Sequence, residues 1–367
     1  MEEINFATAD PQAIELEVVA TVEKLLGRPL ERADPVRIFL RGVELLIIQQ
    51  RLLIDEVGKQ NLLYYAKGDN LDHLGYLTGC ERLPAVAATT TVELTLSTPR
   101  AQATTIKKGT RITAGDEVYF ALDEAVVIPA AQSKARVKAT CTQTGAKGNG
   151  YLPTELNRIV DPQPFLLAAV NVTTSEGGSD SEDDDHFRQR IRESVESFSV
   201  AGSEGAYIYH AKSVSALIED VTVTSPVPGD VNVYVLLQDG NLPGEEMLAA
   251  VNEHLNKKTV RPLTDNVTVL APDILNYDLT ARYWIARSDA VLSAQIQEEA
   301  QAAVDEYQTW QAAKLGRDLN PTELIYRLKA AGVKRVEVVS PTFAVVADNA
   351  VAKAQNVNVT FAGLEED

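Results

Sequence analysis

The 367-residue sequence predicts an α+β chain, with an N-terminal helical region, an inserted all-β module, and two C-terminal α+β sandwich units. Three observations carry this reading. Apolar residues recur at helical spacing through the first 66 positions. From Thr89 the texture changes to short alternating runs punctuated by Gly and Pro. After about residue 218 strand-like and helix-like segments follow one another twice, the order expected when helices cover one face of a small sheet. A chain of this length favours two to four domains and buries roughly three quarters of its unfolded surface.

The elements follow in order. Pro11 opens a helix over 11–26 with Ile14, Val18, Val22 and Leu25 on one side, and Gly27 and Pro29 stop it. A second helix is expected over Pro35–Ala66. Val36, Phe39, Val43, Leu46, Leu53 and Val57 form its stripe, widened by Leu40, Ile47 and Ile54. A helix of about 30 residues is roughly 45 Å long, more than a compact domain needs, so part of this stripe is expected to face another chain. Phe39, Val43, Leu46, Leu53 and Val57 are the candidate partner-interface residues. A short helix from Gly68 turns Leu71, Leu74 and Leu77 inward, and Tyr64 and Tyr65 fall on a helix.

The β module is expected over 87–172, with strands near Thr89–Leu96, Thr110–Thr113, Val118–Leu122, Ala125–Pro129 and Ala135–Thr142. Gly145-Ala-Lys-Gly-Asn-Gly is read as its β-turn loop, because it lacks the order and the strand–loop–helix context of a phosphate-binding loop. A helical connector spans 173–217, with Phe187, Ile191, Val195 and Phe198 on one helix face and a further helix over Glu204–Leu217. The two α+β units span 218–272 and 273–367. The first holds strands Asp220–Thr224, Val231–Gln238 and Asn266–Leu270 around helix Gly244–Lys257. The second holds strands Asn276–Ile285, Val333–Val339 and Val357–Phe361 with helices Leu292–Ala313 and Pro321–Ala331.

Composition excludes some functions. The formal net charge is −18 and the longest basic runs are pairs (Lys107–Lys108, Lys257–Lys258), so neither nucleic acid nor an anionic membrane is an expected partner. Two cysteines without a CxxC give neither a disulfide framework nor a structural zinc site. The acidic start lacks a signal peptide's basic region, which points to synthesis in a cytoplasm. The Asn-x-Thr matches at Asn171, Asn266 and Asn358 then read as strands or strand ends.

The acidic run Asp180 to His186 is read as a helix start, with Ser181 and Asp184 in the S-x-x-[D/E] spacing. Consecutive carboxylates fan around a helix and do not converge on an ion. His73, His186, His210 and His254 are scattered and form no HExxH, no G-x-S-x-G elbow is present, and Gly202-Ser-Glu-Gly205 reads as a helix cap. Cys80, beside Glu81, has no activating cation in sequence. No catalytic, cofactor or metal residues emerge, and the pattern fits an interaction protein better than an enzyme.

An ordered series of motifs adds a family. Gly68-Asp-Asn-Leu-Asp-His-Leu-Gly through Arg82, Gly145 through Gly150, Gly177-Gly-Ser-Asp through Ile191, Ser199 through Ala211, Val260-Arg-Pro-Leu-Thr-Asp-Asn-Val-Thr-Val269, and Leu315-Gly-Arg-Asp-Leu with Ala331 through Glu337 together resemble the baseplate assembly protein J family of contractile-tailed phages and related injection systems. The resemblance covers nearly the whole chain. It implies a non-enzymatic baseplate wedge protein in the virion tail. Such a protein pairs with a second copy of itself and a partner of the tail protein I family through a helical bundle. It contacts the sheath initiator and the hub and spike, and its C-terminal regions join neighbouring wedges into the ring that relays the contraction trigger. The competing readings are a carbohydrate-binding or adhesin module, built on Tyr119, Phe120, Tyr151 and Phe165, and a wall-degrading hydrolase using Glu155 and Asp161.

Overall fold

The computed structural model describes residues 3–198, 202–257 and 259–366, without the side chains of 197 and 198. The expected inward Phe198, the start of the motif at Ser199–Ala201, Lys258 and the first two residues of the acidic N-terminus lie outside the described residues. The chain divides into two compact units, 1–82 with 183–192, and 83–182 with 193–367.

In the first unit, α1 (Pro11–Leu26) packs on α2 (Pro35–Lys59), and α3 (Gly68–Leu77) and α4 (Asp184–Glu193) follow. α1 and α2 begin alike. Asp10 accepts from the Gln12 N–H at 3.0 Å and Asp34 from the Val36 N–H at 2.9 Å, each just before a proline at the first helical position. Ile14, Val19 and Leu40 are the buried apolar residues of the two helices, and Arg37 of α2 reaches Glu15 of α1 at 2.9 Å. α2 stops at Lys59, seven residues before the expected Ala66. The Asn61 side-chain amide donates to the Val57 carbonyl (2.8 Å), the acceptor its own N–H would take in a longer helix, and that N–H turns to Gly58 instead. Tyr64 and Tyr65 therefore sit in turns, not on a helix. In α3, Leu71 is buried as expected but Leu77 points outward at 80% exposure, because the helix ends there and Gly79 turns the chain away.

The second unit opens with a six-stranded sheet in the order β7-β3-β4-β6-β1-β8, its end strands β7 (Arg158–Ile159) and β8 (Leu166–Asn171) near each other, so the sheet curls toward a barrel. β1 (Thr89–Leu96), β3 (Arg111–Thr113), β4 (Tyr119–Leu122) and β6 (Lys134–Cys141) fall where alternation placed them. β5 (Val126–Ile128) pairs with β2 (Thr104–Ile106). β2 and β7 were not legible as strands, being three and two residues long. Val92, Leu94, Ile112, Phe120, Leu122 and Ala139 fill the interior.

Two three-stranded sheets follow. In the first, β10 (Asp230–Leu237) lies between antiparallel β9 (Ile218–Val227) and parallel β11 (Asn266–Leu270), packed by α5 (Glu204–Lys212) and α6 (Glu245–Leu255). α5 ends at Lys212, not Leu217, where Ser213 caps it and its hydroxyl donates back to the Tyr209 carbonyl. In the second, β12 (Asp273–Ala286) lies between antiparallel β13 (Arg335–Ser340) and parallel β14 (Ala350–Glu365), covered by α7 (Ser293–Ala312) and α8 (Pro321–Ala330). β14 has 16 residues, far more than the expected Val357–Phe361, because its Ala350–Ala354 start is small and uncharged but for Lys353 and gives no alternating pattern. Leu236, Leu315 and Val351 form a small core joining the two sheets. Among the described residues, no helix is long and apolar enough to cross a membrane.

Candidate interaction face

α2 has 25 residues, about 37 Å of helix, yet only Leu40 and Glu44 along it are buried. Of the five candidate interface residues, Phe39 (72%), Leu46 (61%), Leu53 (56%) and Val57 (56%) are exposed, and Val43 is half-buried. Ile38, Leu45, Leu52 and Ile54 extend the apolar surface beside them. Scattered exposed leucines are ordinary, but eight large apolar side chains exposed on one helix form a contiguous surface that water solvates poorly. The helix is held from its other side. Lys59 bonds Asp55 at 2.8 Å, and Asp55 accepts from the Phe6 N–H at 2.7 Å, so the N-terminal segment braces the C-terminal end of α2. The Lys59 ammonium and that N–H hold the Asp55 carboxyl below its usual range, against a partial opposing effect of burial.

The sequence motifs, by contrast, fasten the chain to itself. Asp184 accepts from Arg82 Nη2 (2.7 Å) and from the Gly68 N–H (3.1 Å). Arg82 also reaches Asp72 at 2.7 Å and stacks over the Phe187 ring. Arg188 donates to the carbonyls of Leu63 (2.9 Å) and Ala66 (2.8 Å), and Arg190 to that of Glu81 (2.6 Å). Gly75 lets these helices close, since a Cβ there would lie 2.6 Å from the Phe187 ring and from the Cys80 carbonyl. The first and third motifs are thus two halves of one joint.

The acidic run is a helix start, but the capping residue is Asp183 rather than Ser181. Its Oδ1 accepts from the N–H groups of Asp185 (2.8 Å) and His186 (2.9 Å), and Oδ2 meets His186 Nδ1 at 2.5 Å. The helix begins at Asp184, which moves the cap two residues on from the expected register. Glu182 is buried and accepts from the Leu83 N–H at 3.0 Å. Each of these carboxylates has its own local partner.

The glycine-rich loop is one turn of 3-10 helix, Ala146–Gly148, not a simple β-turn. Asn149 exchanges two hydrogen bonds with the Gly178 backbone (2.7 and 2.8 Å), and Asp180 accepts from the Ala146 N–H. A Cβ on Gly178 would sit 2.6 Å from the Gly145 carbonyl, so the second motif and the glycine pair of the third require each other. Farther on, Arg261 braces its own turn through the Pro262 and Asp265 carbonyls, and Tyr207 donates to Asp265 at 2.7 Å. Burial and that carboxylate push the Tyr207 phenol well above its usual range. Ser203 stands at the start of α5, but its hydroxyl makes no capping bond there.

Among the described residues, the side chains named for the two competing readings are engaged with local partners. Asp161 is held bidentately by Arg111 (2.9 Å to each oxygen) and Glu155 accepts from the Leu152 N–H. Of the module's aromatics, Phe120 is buried, Tyr151 donates to Asp116 at 2.5 Å, and Arg100 stacks on Phe165. The structure does bring His210 and His254 together, ring centres 5.8 Å apart across α5 and α6, which their 44-residue separation concealed. Among the described residues, no group of three or more His, Cys, Asp or Glu is arranged to hold a metal.

Family models match in the same order as these parts. The Baseplate J-like protein barrel domain matches residues 91–178, the Baseplate J-like central domain 199–271 and the Baseplate J-like protein C-terminal domain 277–360. Baseplate protein J of Escherichia phage P2 is 37% identical over 161 residues, 44% of this chain and 52% of the relative, so the chain spans about half the length of that relative. A chain in a cryo-EM structure of the anti-feeding prophage baseplate, 14% identical, aligns over 93% of this chain and 90% of its own length with a TM-score of 0.44. With three models of one family matching more than half of its length, this chain belongs to the baseplate J family.

Proposed function

We propose that this protein is a structural component of a contractile-tail baseplate that works by assembly, not by turnover. Its α2 face seats a second copy of the chain together with a wedge partner of the tail protein I family. The resulting wedges contribute to the ring around hub and spike, meet the sheath initiator, and relay the trigger for sheath contraction. Family membership supports the baseplate role. The observation that carries the pairing is the exposed run Phe39, Leu46, Leu53 and Val57 on a helix braced from its other side. Helical bundles bury stripes of this kind between chains. The net charge of −18 keeps the separate chains soluble until the partner covers that face.

The test is co-expression with the tail protein I partner, reading the mass of the purified complex. The reading requires a complex containing both proteins, and its loss in F39E/L46E while that variant keeps the wild-type circular dichroism and melting temperature. A complex of unchanged mass from the double variant would remove α2 from the interface.

A further inference from the structure

We propose that a cleft between the stem of the β module and α6 is a docking site for another protein, one that presents a large apolar side chain flanked by lysine or arginine. All of the cleft lies in the second unit.

The cleft has a volume of about 300 Å³. Val86 lines it from the module, beside its bridge to Ser179. Val214 and Leu217 from the turn after α5, Leu237 at the end of β10, and Leu242 and Met247 around the start of α6 supply the remaining apolar lining. Val214, Leu237 and Met247 also pack on the core of the first α+β sheet, which fixes these walls from behind. Val86 and Leu242 are exposed although both are large and apolar. A concavity of this size is at the lower end of binding pockets, with room for one large side chain and the backbone beside it. The unbranched Met247 side chain can adjust to the shape of that guest.

Charge selects the occupant. Two exposed carboxylates, Glu176 and Glu246, also line the cleft. A Cβ on Gly244 would lie 3.5 Å from Glu176 Oε1, so that carboxylate stands by the first turn of α6. The helix N-terminus favours a negative charge there, but among the described residues Glu176 has no ion-pair partner. Glu246 meets Lys138 at 3.2 Å, a pair exposed on both sides and therefore weak. An incoming ammonium or guanidinium thus finds one unpaired carboxylate and one loosely held. The net charge of −18 attracts a basic partner and repels a second copy. An apolar anchor in a pocket, with complementary charge around it, is the arrangement in which protein interfaces concentrate affinity and specificity.

The experiment uses the full chain with carbon-13-labelled methionine methyl groups. Met247 reports on the cleft, and Met1 is the only other methionine. The probes are the peptides acetyl-Lys-Phe-Lys-amide and acetyl-Glu-Phe-Glu-amide. The basic peptide should move the Met247 methyl resonance saturably and bind roughly five-fold tighter than the acidic one at low salt, the difference shrinking as salt is added. E176K should remove that preference. A250W, which fills the cleft from α6, should abolish the response to the basic peptide, and both variants should keep the wild-type melting temperature. No saturable response to the basic peptide up to about 5 mM, equal binding of the two peptides, or an undiminished response in A250W would overturn the proposal. A wild type that sediments as a heavier species than A250W would give the cleft to a second copy and overturn it as well. F39E/L46E leaves every residue of the cleft in place and should respond as wild type does, so failure at α2 and failure here are told apart.

Discussion

Arg82 and Asp184 stand 102 residues apart in the chain and 2.7 Å apart in the structure. Their contact joins the end of the α3 motif to the start of α4, and the Gly68 N–H adds a third member. Burial alone would raise the Asp184 carboxyl, but the Arg82 guanidinium and that N–H outweigh it and hold it below its ordinary 3.8. A depressed carboxyl contributes stability above its unfolded-state value, and the contribution disappears as pH falls through the folded-state value. D184N is therefore expected to destabilise the protein at pH 7, with the gap to wild type narrowing below about pH 4. Urea unfolding at pH 7, 5 and 3 measures it; a gap independent of pH would contradict the ion-pair account.

The histidine pair gives a second, higher pH window. Burial lowers His210 and His254 from 6.5, His254 adding to the effect on His210 and Lys257 to that on His254. Both are favoured neutral in the fold, so their contribution is present above about pH 6.5 and is lost as pH falls through their lowered values. H210F should flatten the stability profile between pH 7 and 5. Imidazole resonances that titrate near 6.5 for both residues would contradict this.

Asn171 is a buried amide with every group used. Its Oδ1 accepts from the Leu156 N–H (2.9 Å), and its Nδ2 donates to the Leu152 (2.8 Å) and Thr173 (2.9 Å) carbonyls. N171L keeps the branched shape but leaves a buried N–H and at least two carbonyls without their partner, a loss of about 3 kcal/mol. Thermal denaturation followed by near-ultraviolet dichroism checks it, and a loss under about 1 kcal/mol would show that the network relaxes.

The β module enters and leaves at one place. The Leu83 N–H donates to Glu182 Oε2, and the Glu182 N–H donates to the Leu83 carbonyl, both at 3.0 Å. Replacing residues 84–181 by a short Gly-Ser linker should leave the contacts of Arg82, Arg188 and Arg190 intact. Amide exchange in α3 and α4 reports this. Full loss of protection there would mean that the module supports that joint.

The helices and strands of the α+β fold were legible wherever period and punctuation agreed, as in β1, β11, α7 and α8. They were not legible where two residues make a strand, as in β7, or where a side chain competes for a helix carbonyl, as at Asn61. The α2 stripe was readable as apolar. Its orientation was not, because periodicity identifies a face without saying what lies against it. Leu40 and the unexpected Glu44 turned inward, while Phe39 and Leu46 turned out. The joint of Arg82 with Asp184 and the meeting of His210 with His254 depend on tertiary contacts, which short-range spacing does not carry.

The return of α4 to the first helices imposes an order on biosynthesis. Arg82 leaves the ribosome long before Asp184 is made, and roughly a hundred residues must be translated in between. Until then the leading segment lacks the contacts that Arg82 and the carbonyls of Leu63, Ala66 and Glu81 make with α4. Only when the carboxylate-rich turn emerges can the early segment lock, which makes the last step of its maturation a long-range one that a truncated nascent chain cannot imitate.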